Sequence, residues 1–100
     1  PFYYKFMEIN DNTFLRQFET KTNGKLAIIE YSLQDRKIFL TRIVAPEIKN
    51  KDVFVDDFIY NVLEIISERN ISVVPTVPKI TKYIRKNRRY KSLLPVGIRI

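Results

Sequence analysis

The fold is decided by residues 38–75, IFLTRIVAPEIKNKDVFVDDFIYNVLEIISERNISVVP. Its first part, IFLTRIV (38–44), is rich in β-branched and aromatic residues and predicts a strand. Between residues 54 and 69 the apolar positions recur every three or four residues, which is typical of an amphipathic helix. ISVVP (71–75) is short and β-branched, as expected of a buried strand. Because a strand, a helix and a strand form a crossover, we predict that the two strands lie parallel.

The residues before this stretch predict antiparallel strands. LRQFETKT (15–22) alternates loosely, and LAIIEYSL (26–33) is rich in β-forming residues. NGK (23–25) separates them and predicts a tight hairpin, since Asn and Gly both tolerate positive φ. QDRK (34–37) predicts a second turn before IFLTRIV. Three antiparallel strands therefore open the predicted fold.

The crossover helix has predicted signals at both of its ends. Asp52 suits the N-cap position, and Asp56 and Asp57 follow near the positive end of the helix dipole. Arg69 and Asn70 predict the stop, with Asn70 in the left-handed conformation.

After the last strand, the sequence predicts a second helix over residues 79–88, followed by a turn of helix near residues 90–94. Ile80, Tyr83 and Ile84 are expected on its core side, and PVGIRI (95–100) reads as a tail or an edge strand. The whole chain, residues 1–100, is thus predicted to be one α+β domain. Its element order is β-β-β-α-β-α: an antiparallel meander and a parallel crossover strand in one mixed sheet that the helices cover.

Composition excludes several classes of protein. Hydrophobic residues make up 45% and charged residues 29% of the 100 residues, a balance typical of globular domains. Cysteine and histidine are both absent, which excludes disulfides, thiolate nucleophiles and the commonest general base. No apolar run reaches the roughly 20 residues of a membrane span. We therefore expect a cytoplasmic protein with no membrane partner and no metal site.

Positive charge is concentrated at the C-terminal end. Eight of the 18 basic residues, and none of the 11 acidic ones, lie in residues 79–100, although the net charge of the chain is only +7. Such asymmetry indicates an anionic partner, which could be nucleic acid, a phosphorylated cofactor or an acidic surface. A solvated helix face that keeps the protein soluble is the alternative interpretation.

Three segments carry a resemblance to a known family. NGKLAIIEYSL resembles a G-x-A-x-x-x-Y hairpin, IFLTRIVAP resembles I-x-L-x-H-T-x-V-P, and VVPTVPKITKYIRKN resembles V-x-P-x-C-P-x-x-x-x-Y-I-x-x-H. In this order, and without gaps over about three-quarters of the chain, they resemble the small single-domain, yjdJ-like branch of the GCN5-related N-acetyltransferase (GNAT) superfamily. The resemblance implies a domain that binds acetyl-coenzyme A (acetyl-CoA) and transfers its acetyl group to an amine. It also implies that the pantetheine arm lies between the ends of the two parallel strands.

The same resemblance implies a set of cofactor-binding residues. It places the ends of the two parallel strands beside pantetheine. It places the start of the crossover helix at the position of the glycine-rich G-x-G-x-G turn, which binds pyrophosphate. Two basic residues then lie near the phosphate-bearing end of CoA. These residues are Val44, Val74, Lys49, Lys51, Val53, Val55, Arg85 and Lys86.

The sequence departs from the family pattern where the cofactor chemistry is expected. Lys51, Val53 and Val55 stand at the three glycine positions, and β-branched residues resist positive φ and crowd a pyrophosphate. The aspartates nearby place negative charge at the same helix end. Val77 replaces the family's cysteine, and Arg42 and Asn87 replace its histidines. Retained acetyl transfer, by direct attack of the amine, and weakened or lost CoA binding are therefore both open.

Two residues are candidates for catalysis. Tyr83 stands where the family has a tyrosine, and such a tyrosine can protonate the leaving thiolate; core packing is the alternative role. Glu30, in the middle of a predicted strand, is a candidate general base, although strand carboxylates usually point to solvent.

A second function remains open beside acetyl transfer. The chain is then a non-catalytic binding module in which residues 79–91 contact nucleic acid or an acidic protein. Tyr83 and Tyr90 lie among the cations of this segment, and basic residues interleaved with aromatic ones suit single-stranded nucleic acid.

Overall fold

One five-stranded sheet and two α-helices form the computed structural model, which describes residues 6–100. The strands lie in the order β1-β2-β3-β4-β5; neighbours are antiparallel except for β4 and β5, which are parallel. Helix α1 connects β4 to β5, and α2 follows β5. The bounds are β1 (Asn10–Asn12), β2 (Gln17–Thr22), β3 (Lys25–Gln34), β4 (Lys37–Val44), α1 (Lys51–Arg69), β5 (Ser72–Pro75), α2 (Pro78–Lys86) and a 3-10 helix (Arg88–Leu93).

Both predicted hairpin turns are confirmed, and both use left-handed residues. Asn23 and Gly24 have φ values of 53° and 74° between β2 and β3. Asp35 and Arg36 have φ values of 51° and 62° between β3 and β4. Two consecutive residues with positive φ match the right-handed twist of the flanking strands, so these turns fix the register of the meander.

The helices cover one face of the sheet. Alternate strand residues are buried, for example Ala27, Ile29 and Tyr31 on β3, while Ile28 and Glu30 between them are only half-buried. The buried strand residues belong to one hydrophobic cluster with the apolar sides of both helices. The predicted mixed sheet covered by helices, with an antiparallel meander and a parallel crossover strand, is therefore confirmed.

The predicted start of the crossover helix is wrong. Asn50, not Asp52, is the N-cap residue, and the helix begins at Lys51. Asn50 adopts the left-handed conformation with φ 59°, a conformation that Asn tolerates. The predicted end is confirmed, because α1 stops at Arg69 and Asn70 has φ 62°.

The first strand was missed by the sequence prediction. β1 has only three polar residues, so it lacks the alternation on which strand prediction depends. It is an edge strand, and two contacts join Asp11 to distant elements: Tyr31 donates a hydrogen bond to it over 2.6 Å, and Arg69 pairs with it at 2.8 Å. Residues 95–100 form no strand and end the chain as a tail.

Candidate functional site

Strand β5 ends at Pro75, whereas its parallel partner β4 extends further. The parallel register runs from Lys37 beside Ser72 to Leu40 beside Pro75. Just beyond it, the backbone N–H and the hydroxyl of Thr76 both donate to the Leu40 carbonyl, over 3.1 and 2.9 Å. β4 then continues to Val44, whereas the segment that follows β5 turns away into α2. A cleft opens between them.

A β-bulge shapes the β4 side of this cleft. The β3–β4 register shifts between Glu30 and Tyr31, so that Thr41 has no partner across the pair. The Thr41 hydroxyl donates to the Glu30 carbonyl over 3.2 Å and holds the irregularity. A bulge bends its strand and increases the local twist, so the irregularity affects the part of β4 that leads to the cleft.

The cleft is a cavity of about 270 Å³ with apolar walls and a charged rim. Ile43, Ala45, Val55 and Val77 form the apolar part. The charged part consists of Lys51, Asp52 and Lys79. These are the ionisable side chains that line the cleft among residues 6–100.

The first turn of α1 lies at the rim of the cleft. The first helical hydrogen bond runs from the Phe54 N–H to the Asn50 carbonyl over 3.1 Å, and no side chain caps the helix. Since the first N–H groups of a helix have no partner within it, they remain available to an acceptor, and the dipole favours an anion there. Val53 and Val55, at the family's glycine positions, are already helical, so this segment is not a turn.

Two exposed ion pairs surround that helix start. Lys79 pairs with Asp52 across the mouth of the cleft at 3.3 Å, and Lys51 pairs with Glu47 in the preceding loop at 2.5 Å. Exposed pairs contribute only about 0–1 kcal/mol, so a competing anion displaces them at small cost. The pairing of Asp52 with Lys79 was missed from the sequence. No local signal predicts it, because the two residues are 27 positions apart in the sequence.

The two predicted catalytic residues lie on opposite sides of the sheet. Tyr83, on the inner side of α2, is buried in the core, and its ring centroid is 6.1 Å from that of Tyr90. Glu30 lies on the face that the helices leave uncovered, 3.8 Å from Arg42. Neither residue lines the cleft.

The predicted cofactor residues divide into two groups. Lys51 and Val55 line the cleft, while Val44, Lys49 and Val53 are exposed near it without lining it. Val74, in contrast, contributes to a separate cavity with Phe39 and the C-terminal tail.

The remaining two, Arg85 and Lys86, are exposed near the far end of α2. They are about 10 Å along the helix axis from Lys79 at a rise of 1.5 Å per residue. The structure therefore separates them from the cleft.

A larger cavity lies on the other side of α1. Its volume is about 840 Å³, and it is bordered by residues 6–10, β2 and Phe54. Its polar lining includes Glu8 and Glu19, but the carboxylate of Glu19 already accepts hydrogen bonds from the amides of Asn10, Asn12 and Gln17. The hydrogen bond from Gln17, followed by that from Asn12, lowers the pKa of Glu19. We assign this cavity no role.

The described residues contain neither a cluster of metal ligands nor a membrane-spanning helix. Among residues 6–100, no three His, Cys, Asp or Glu side chains are grouped so as to hold a metal ion. No helix in the described part of the chain is both long and apolar enough to cross a bilayer.

Comparison with known proteins finds no protein-family model that matches the chain, and no curated protein matches its sequence.

Proposed function

We propose that this protein is an acetyl-CoA-dependent N-acetyltransferase of the GNAT type, in which the cleft between β4 and β5 holds the pantetheine arm. One observation carries the proposal: β4 extends beyond the end of its parallel partner β5, beside a helix start that no side chain caps. The position of the crossover helix supports the proposal as well, because α1 begins at the end of the sheet where β5 ends.

The walls of the cleft suit a pantetheine arm. Its apolar residues accommodate a thin, largely aliphatic chain. Beyond Leu40 no described strand pairs with β4 on the β5 side, so backbone polar groups there are free to bond the amides of pantetheine. At about 270 Å³ the cavity accommodates that arm and leaves the nucleotide portion outside.

The rim of the cleft suits phosphate groups. The N–H groups of the first turn of α1 and the cations Lys51 and Lys79 are donors for the pyrophosphate. Their carboxylate partners, Glu47 and Asp52, must be displaced first. Coenzyme A binding is therefore expected to be weaker than it is with a glycine-rich turn.

The proposed reaction is direct transfer. The amine nitrogen attacks the thioester carbonyl, the carbon–sulfur bond breaks, and the thiolate gains a proton while the amine nitrogen loses one. Because neither Tyr83 nor Glu30 lines the cleft, both protons exchange with solvent in this proposal. The rate is then expected to rise with pH until the amine is fully deprotonated.

Isothermal titration with CoA and acetyl-CoA tests the proposal. Binding is expected for the wild type and for Val96→Phe, since Val96 is fully exposed on the tail. Val77→Phe places a large ring in the cleft and is expected to abolish binding, while circular dichroism checks that both variants fold. If the wild type releases no heat at millimolar ligand, or if Val77→Phe binds as well as Val96→Phe, the proposal fails.

A further inference from the structure

Four cations at the C-terminal end of α2 and just beyond it have no acidic partner. Lys82, Arg85, Lys86 and Arg88 are all exposed, and none forms an ion pair with any residue from 6 to 100. Among the neighbouring cations, Lys79 pairs with Asp52 and Arg89 with Glu64, while Lys91 has no ion pair among residues 6–100 either but is half-buried. No acidic residue occurs between positions 79 and 100. We call these four side chains the basic surface.

The fold turns this surface outward as one unit. Ile80, Tyr83 and Ile84 hold the opposite side of α2 in the core, which leaves Lys82, Arg85 and Lys86 toward solvent. Lys82 and Lys86 are one turn apart, about 6 Å along the axis. That distance is close to the rise of two nucleotides, at about 3.4 Å each, along the axis of a duplex.

The two tyrosines of this segment are not part of the surface. Tyr83 and Tyr90 are buried, with exposed fractions of 9% and 4%. The Tyr90 hydroxyl donates to Glu64 over 2.6 Å, and the guanidinium of Arg89 lies 4.6 Å from the centre of its ring. Neither ring is available for base stacking. The predicted aromatic contribution to single-stranded nucleic-acid binding is therefore not supported by the structure.

The basic surface also lacks the apolar anchors of a protein interface. The large exposed hydrophobic side chains of the described residues all lie outside residues 79–91. Protein interfaces concentrate their binding energy in buried aromatic and apolar anchors, which are missing here. A surface of ammonium and guanidinium groups alone fits a regular array of phosphates instead.

We propose that the basic surface binds the phosphate backbone of double-stranded DNA without reading base sequence. The surface begins at Lys82 in the middle of α2 and extends away from the cleft, and none of its four residues lines the cleft, so the proposal does not depend on acetyl-CoA binding. Four phosphate contacts predict that log K falls with log salt with a slope of about −3.6. Non-specific affinities of this kind correspond to a Kd of about 10⁻⁴ to 10⁻⁶ M at physiological salt.

Fluorescence anisotropy with a labelled short DNA duplex tests this, at salt concentrations between about 50 and 200 mM. The test variant carries Lys82→Gln, Arg85→Gln, Lys86→Gln and Arg88→Gln. The control variant carries Arg16→Gln, Lys21→Gln, Lys25→Gln and Arg36→Gln, four exposed cations elsewhere. Each variant loses two lysines and two arginines, so the net charge falls from +7 to +3 in both.

The comparison of the two variants distinguishes an effect of the basic surface from an effect of net charge alone. The test variant loses at least about tenfold in affinity and most of its salt dependence, whereas the control loses much less. Duplexes of unrelated sequence bind the wild type equally. The proposal is overturned if the wild type does not bind at low salt, or if the two variants weaken equally. Tighter binding to polyglutamate than to the duplex, at matched charge, would overturn it in favour of an acidic protein partner.

Discussion

Tyr31 joins three parts of the molecule through one side chain. Its ring packs in the core 4.9 Å from that of Phe18, and its hydroxyl donates to Asp11 on the edge strand. Arg69, the last residue of α1, pairs with the other oxygen of the same carboxylate and lies 5.6 Å from the centre of the Phe18 ring. Burial, and then the hydrogen bond to Asp11, raise the pKa of Tyr31 to about 12.

We expect Tyr31→Phe to lower the free energy of unfolding by about 1 kcal/mol at pH 7, because it removes one hydrogen bond and keeps the ring. The pH dependence has a definite sign. The pKa is higher in the folded state than the ordinary value of 10.0, so the contribution is complete below pH 10 and is lost as the pH rises toward 12.

Urea unfolding from pH 7 to pH 11.5 measures both effects. The difference between wild type and Tyr31→Phe should shrink at the alkaline end. An equal difference at every pH would contradict the assignment of the raised pKa to this residue.

At the scale of elements, the two hairpin turns of the meander have the same geometry but different sequences. Asn23-Gly24 has the residue pair that such a turn prefers. Asp35-Arg36 has an arginine at the second position, where φ is 62°. A residue with a Cβ is strained in the left-handed region, and glycine is not.

Arg36→Gly is therefore expected to raise the free energy of unfolding by about 1 kcal/mol. Gly24→Ala is the reciprocal change and is expected to lower it by a similar amount. A Cβ at Gly24 would meet no heavy atom within 4 Å, so the cost is conformational and not steric. Thermal or urea unfolding of the two variants should show opposite signs; a loss of stability in Arg36→Gly would contradict the account of the turn.

The start of α1 shows what element prediction misses. Asp52 suited the N-cap because Asp caps helices in many proteins. In the structure, the left-handed Asn50 turns the loop directly into the helix and places Asp52 in the first turn. There its carboxylate pairs with Lys79, 27 residues later in the chain. Local sequence does not encode that distant partner.

At the scale of the whole molecule, the buried apolar residues between positions 6 and 100 form one hydrophobic core. Its buried members come from four strands, both α-helices and the 3-10 helix, and they form a single cluster. Leu63 is fully buried within it on α1. Since every one of these elements contributes to the same cluster, we expect them to unfold together.

Leu63→Ala should lower the free energy of unfolding by about 2–5 kcal/mol, the usual cost of a cavity at a buried leucine. Val53→Ala on the same helix is the control. Val53 is 61% exposed, so its loss should change stability by less than about 0.5 kcal/mol. Far-UV circular dichroism and tyrosine fluorescence should report the same transition midpoint in each variant. Separate midpoints would contradict a single cooperative core.

The sequence by itself determined the strands β2 to β5, both hairpin turns, the crossover and the end of α1. These features follow from short-range periodicity and from residues such as Asn23, Gly24 and Asn70, whose backbone preferences act locally. It also located the excess of positive charge. The periodicity also placed Tyr83 on the core side of α2, which the structure confirms. Only the tertiary structure decided the partners of the other side chains. It buried Tyr90, left the four exposed cations of the basic surface without an ion pair, placed Glu30 on the opposite face from Tyr83, and brought Lys79 to Asp52. The physical reason is that such contacts depend on burial and on partners far apart in the chain, which no local pattern specifies.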